Sequence, residues 1–140
     1  MANATTSYRG PDGRQWIDVT ANKTLLVSEA GWVQNIKADA LTLTLPSTLA
    51  GVRIVVRNGG VPPTSGAVGA VGDASMAITL TPASGDGFTG NGFTAAANKG
   101  PVNTKATSRV GDEISFIGTG TNSAVAWNID NVKGTWARLA

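Results

Sequence analysis

Residues 108–129 read SRVGDEISFIGTGTNSAVAWNI, two runs of alternating apolar and polar residues around the bend GTGTN at 118–122. Period-two alternation marks a half-buried strand. A glycine-rich bend after a strand raises the question of phosphate binding. A dinucleotide loop needs a third glycine and a following helix whose N-terminus meets the pyrophosphate. Here residues 124–129 alternate as a second strand, and no lysine follows in P-loop spacing. The stretch therefore reads as a β-hairpin whose glycines supply positive φ. It turns the chain round.

The same pattern recurs on either side. Residues 16–19 (WIDV), 24–27 (TLLV), 32–36 (WVQNI), 41–45 (LTLTL, ending at Pro46), 52–57 (VRIVVR) and 76–81 (MAITLT, stopped by Pro82) each read as a strand. Residues 105–107 (KAT) form a further short candidate. Between them lie turn-rich segments: 58–75 (NGGVPPTSGAVGAVGDAS), 83–93 (ASGDGFTGNGF) and 95–103 (AAANKGPVN). No amphipathic helix is evident. Roughly nine to ten short strands separated by turn residues predict an all-β, single-domain antiparallel sandwich, jelly roll or small barrel. That domain spans residues 15–140, preceded by an extended N-terminal arm at 1–14. The segments LTLTLPSTLAG (41–51) and ITLTPASGDG (78–87) echo each other, but one echo falls short of a solenoid.

Composition narrows the function. The 140 residues contain neither cysteine nor histidine. Disulfides, thiolate zinc sites and every histidine-dependent triad are thereby excluded. The net charge is +2 from scattered lysines and arginines, with no basic stripe, so no nucleic-acid partner is expected. No apolar run approaches the ~20 residues of a membrane span, and the N-terminus MANATTSYR lacks the pattern of a secretion signal. Synthesis in a cytoplasm follows as the expectation. Only 14% of residues are charged, well below the usual ~25%. A surface so poor in charge suits a β protein that works against other protein.

The acidic residues offer little. Asp73, Asp86, Asp112, Glu113 and Asp130 sit mostly beside glycines, without the acidic spacing of an EF-hand. Asp112 and Glu113 are adjacent, so on a strand they would point to opposite faces rather than form a hydrolytic pair. No enzyme activity, cofactor, metal or small-molecule substrate is expected. Trp32 and Trp127 lie within apolar runs and read as core. Trp16 and Trp136 lie at the ends of the domain and divide between core and interface anchor. Tyr8, Arg9 and Arg14 surround the turn GPDG in the arm, residue types enriched at interfaces. The long loop 58–75 carries Val61, Val68 and Val71 with almost no charge, which suggests packing on a neighbour. Candidate partner-binding residues are therefore Tyr8, Arg9, Arg14, Trp16, Val61, Val68, Val71 and Trp136.

The C-terminal pattern GDEISFI (111–117), WNI (127–129) and GTW (134–136), with LTLTLP, AGVRIVVRN and ITLTPASGDGFTG upstream, resembles virion proteins of tailed bacteriophages. Related patterns occur in capsid decoration (cement) proteins and in tail-fibre or spike domains. The resemblance implies a trimeric β-structured virion protein with no catalytic residues to carry over. A fibre would continue into long repeats, whereas this sequence reads as one domain with an arm. A decoration protein is thus expected, on the outer surface of the capsid, with the major capsid protein as partner. A fibre, spike or lectin-like receptor-binding module is the alternative. It would present Trp16 or Trp136 exposed beside Asn or Asp groups.

Overall fold

The computed structural model describes residues 7–10, 12–60 and 76–139. Its strands are β1 (Tyr8–Arg9), β2 (Gln15–Val19), β3 (Lys23–Thr24), β4 (Val33–Ile36), β5 (Leu41–Thr44) and β6 (Arg53–Asn58). After the segment outside the described residues come β7 (Ile78–Thr81), β8 (Phe88–Thr89), β9 (Pro101–Asn103), β10 (Glu113–Gly118), β11 (Trp127–Lys133) and β12 (Ala137–Arg138). Among the described residues there is no α-helix, only a 3-10 turn at Val27–Glu29.

The strands form two sheets, ordered β1-β2-β4-β6-β10-β11-β8 and β12-β9-β7-β5-β3. The all-β sandwich expected from the pattern is present, but the sheets are mixed rather than antiparallel. From β2 to β7 the chain alternates between the sheets at every strand, so that β2, β4 and β6 run parallel in one sheet and β3, β5 and β7 in the other. A parallel pair cannot be joined by a tight turn and needs a crossover. Here the crossover is a strand of the opposite sheet. The chain coils for three turns before β10 and β11 close as an antiparallel hairpin.

This coil explains the sequence echo. Leu41, Thr42, Leu43 and Thr44 pair in register with Ile78, Thr79, Leu80 and Thr81. The two segments occupy equivalent positions in successive turns of the coil, leucine or isoleucine inward and threonine outward.

The inner faces meet in one apolar core. Val19, Ile36, Ile54, Val56, Ile114, Phe116 and Trp127 of the first sheet pack with Leu41, Leu43, Ile78 and Leu80 of the second. At its centre Phe88, Phe116 and Trp127 make successive edge-to-face contacts, with centroids 4.9 and 5.5 Å apart. Such pairs add to the stabilisation from burial alone. Between Ser115 and Phe116 the register on β11 slips by one, leaving Asp130 as the extra residue of a bulge. The slip lets Ile129 and Val132 both face the core despite their odd spacing.

One end of the sandwich is closed by a buried polar network. Asn58 Nδ2 donates to Asn103 Oδ1 at 2.9 Å, and Asn103 Nδ2 donates to Asp112 Oδ2 and Thr135 O, each at 3.0 Å. Asp112 Oδ2 also accepts from Arg109 N at 2.9 Å. The segment 95–103, read as a break, thus contains β9, which carries Asn103. Residues 105–107, read as a strand, form a turn closed by Thr107 N donating to Thr104 O. The four edge strands β1, β3, β8 and β12 are two residues each. Edges this short offer little template for edge-to-edge aggregation.

Candidate functional site

The hairpin bend at 118–122 packs against the β5–β6 connection. A Cβ on Gly118 would lie 2.2 Å from Leu49 O. Thr48 Oγ1 donates to Ala126 O at 2.7 Å and accepts from Gly120 N at 3.2 Å. The bend is closed by its own chain, as expected of a turn.

The first described strand, β1, forms an edge of the first sheet. Tyr8 and Arg9 pair antiparallel with Trp16 and Gln15, so β1 is tied to β2 as a hairpin, while residues 1–6 and 11 of the arm expected at 1–14 lie outside the described residues. Gly10 sits directly on the Trp16 indole, where a Cβ would come within 2.3 Å of Nε1. Arg57 stacks on the same ring, its guanidinium carbon 5.0 Å from the centroid. Trp16 is only 6% exposed and forms a small outer cluster with Val33 and Val55.

Asp12 holds this hairpin shut. Its carboxylate accepts from Trp16 Nε1 at 2.8 Å, Arg14 N at 3.0 Å and Arg14 Nε at 2.6 Å. Burial works to raise its pKa, but the bonds from Arg14 and Trp16 win and bring it to about 2. Arg14 also reaches Glu113 on β10 as a fork, Nη2 to Oε1 at 2.9 Å and Nη1 to Oε2 at 3.2 Å. The bond to Glu113 is the main reason the Arg14 pKa is raised further. Tyr8 Oη donates to Asp18 Oδ1 at 2.5 Å. Burial and then this bond push the phenol up to about 12.

Register lines up a polar row across five strands: Asp18, Asn35, Arg57, Glu113 and Lys133. Asn35 Nδ2 donates to Asp18, and Asn35 Oδ1 accepts from Arg57 Nη1 at 3.1 Å. Over this row lies a cleft of about 370 Å³ lined by Asp12, Arg14, Trp16, Arg57, Glu113 and Lys133.

Trp136, the second candidate anchor, is 7% exposed and belongs to the main core, its Nε1 donating to Lys133 O at 3.2 Å. Neither Trp16 nor Trp136 therefore presents an open indole face. Trp136 is among the residues that line an open cleft of about 380 Å³, with Asn91, Phe93 and Arg138. Trp127 is core as expected, whereas Trp32 is half-buried just before β4 and lies outside both apolar clusters. Arg9 is exposed and donates to Gly13 O at 2.6 Å. Val61, Val68 and Val71 lie outside the described residues. Asp112, just before β10, and Glu113, its first residue, diverge, one into the buried network and the other to Arg14.

The sequence reading did not single out the end of the sandwich opposite the polar network. Exposed Leu26 and Val27 lie in the β3–β4 connection, Leu49 in the β5–β6 connection and Val125 in the β10–β11 connection. Gly31 N donates to Arg53 O, Gly51 N to Gly118 O and Thr48 Oγ1 to Ala126 O, which stitches the three connections together. Leu26 and Leu49 are more than half exposed, at 58% and 53%. The only sequence signal was the apolar residue in each of three turns, which is uninformative until the coil brings the turns to one end.

No protein-family model matches the chain, and no curated protein matches it.

Proposed function

We propose that this chain is a structural virion protein of a tailed bacteriophage, which binds the outside of the capsid as a trimer and reinforces it. The observation that carries the reading is the apolar rim of Leu26, Val27, Leu49 and Val125 on stitched connections at one end of the sandwich. Large aliphatic side chains held out on short, tied loops suit burial against a protein partner rather than against solvent. The low charge content and the phage-like pattern of residues 108–136 support the same reading. Protein made in the host cytoplasm would add to the assembled capsid, with the major capsid protein as partner. Many modest contacts across neighbouring subunits raise the cost of separating them.

The test is binding of purified protein to capsids, wild type against Leu49→Asp and Val125→Asp. Both positions are exposed, so the variants should keep their thermal transition while losing capsid binding. Undiminished binding by both would remove the rim from the reading. Light scattering gives the oligomeric state, a trimer having three times the 14.2 kDa of the chain, with or without chelator.

A fibre-tip or lectin-like role draws on a different observation, the open cleft of Asn91, Phe93, Trp136 and Arg138. An aromatic wall beside amide and guanidinium donors suits a sugar ring. Saturable glycan binding lost in Phe93→Ala would favour that role over decoration.

A further inference from the structure

The cleft on the first sheet leads beyond capsid binding. It holds three cations, Arg14, Arg57 and Lys133, and two carboxylates, Asp12 and Glu113. Both carboxylates are already engaged, because Arg14 bonds to each of them. Arg57 donates instead to the neutral oxygen of Asn35 and stacks on Trp16. Among the described residues neither Arg57 nor Lys133 has a carboxylate within ion-pair distance.

Register brings these two cations to the same cleft. Arg57 and Lys133 sit in register on either side of Glu113. With strands about 4.8 Å apart, their Cα atoms are about 10 Å apart, within the combined reach of two long side chains. Gly111, at φ 95°, adjoins the guanidinium. A Cβ there would be 3.9 Å from Arg57 Nη2, and the glycine places no side chain over it. Asn35 and Trp16 fix Arg57 before any ligand arrives, which lowers the ordering cost of binding. The lining sums to a single positive charge, the match for a monoanion rather than a doubly charged phosphate.

We propose that this cleft is a carboxylate-binding site for an Asp or Glu side chain of a protein partner. Arg57 supplies the planar fork and Lys133 the second cation. The site does not depend on the capsid reading and would serve any acidic protein partner.

The test follows the indole N–H resonance of Trp16 by NMR at fixed ionic strength. The probe is a short peptide, acetylated and amidated, that carries a single glutamate. Its glutamine analogue, sodium acetate and inorganic phosphate serve as comparators. The glutamate peptide should give a saturable shift, at least about tenfold stronger than its glutamine analogue. Arg57→Gln should weaken it by about tenfold and Lys133→Gln by about threefold, with Lys105→Gln, an exposed cation elsewhere, unchanged. Arg57 also braces Trp16, so Lys133→Gln, at an exposed position, carries the test should Arg57→Gln melt early. A shift by acetate at the same resonance would place recognition in the carboxylate alone. Silence from acetate would place it in a carboxylate presented on a peptide backbone. Equal binding of the two peptides, tighter binding of phosphate, or indifference to Lys133→Gln would overturn the assignment.

Discussion

Replacing Asp12 by alanine should unlatch the N-terminal hairpin, and the cost follows from the three bonds it accepts. Trp16 Nε1 loses the only acceptor it has among the described residues while the residue stays 6% exposed. A buried donor left unpaired costs about 1–3 kcal/mol, and the lower half applies because water can enter where the carboxylate was. The bond to Arg14 N adds about 0.5 kcal/mol. The Asp12–Arg14 ion pair, whose side chains are 36% and 37% exposed, adds at most about 0.5 kcal/mol. The total is about 2 kcal/mol, which lowers Tm by about 6 °C in a domain of this size. Asp12→Asn keeps an oxygen for Trp16 and Arg14 N and loses only the charge, so about 2 °C is expected. Differential scanning calorimetry reads both. Equal losses for the two variants, or losses below about 1 °C for alanine, would refute the idea that the Trp16 bond dominates. Because the folded pKa is depressed from 3.8 to about 2, this contribution is present above pH 4 and fades as pH falls through that window.

Tyr8 is the only tyrosine, so ultraviolet titration of the wild type reports it alone. The phenol should ionise near 12, and Asp18→Asn should bring it back toward 10; its raised pKa means stability is lost as pH rises from 10 to 12. Asn103→Ala strips partners from buried Asn58 and Asp112 and should cost about 2–4 kcal/mol by urea denaturation, against less than about 1 kcal/mol for Thr104→Ala on the exposed turn. Gly100→Ala would place a Cβ 1.9 Å from Leu80 O and should lower Tm by several degrees, whereas a neutral result would mean that β7 and β9 are less tightly apposed.

Sequence made the inward faces legible and the neighbours illegible. Leu41, Leu43 and Ile114, Phe116 alternate with polar residues, and that period survives any strand order. Whether Leu41 pairs with a hairpin partner or with Ile78 one coil later is not written in either strand. The echo between the two segments was the trace of that pairing. Two-residue edges such as Tyr8–Arg9 are too short to show a period, and Pro101 disguised β9 as a loop. The fates of Trp16 and Trp136 turned on contacts distant in sequence. Arg57 and Gly10 cover one ring, and Trp136 folds back into the main core. The row of Arg57, Glu113 and Lys133 depends on register across three strands, which no local pattern encodes. The apolar rim likewise exists only after the coil has gathered three separate turns.

The most direct test of the proposed role is a density gradient of expanded, undecorated capsids from a phage whose genome carries this coding sequence, mixed with the purified protein. The protein should migrate with the capsids and saturate at a fixed ratio to the major capsid protein, and the loaded capsids should resist heating better than bare ones. Protein remaining at the top of the gradient at every concentration, with capsid stability unchanged, would contradict the account.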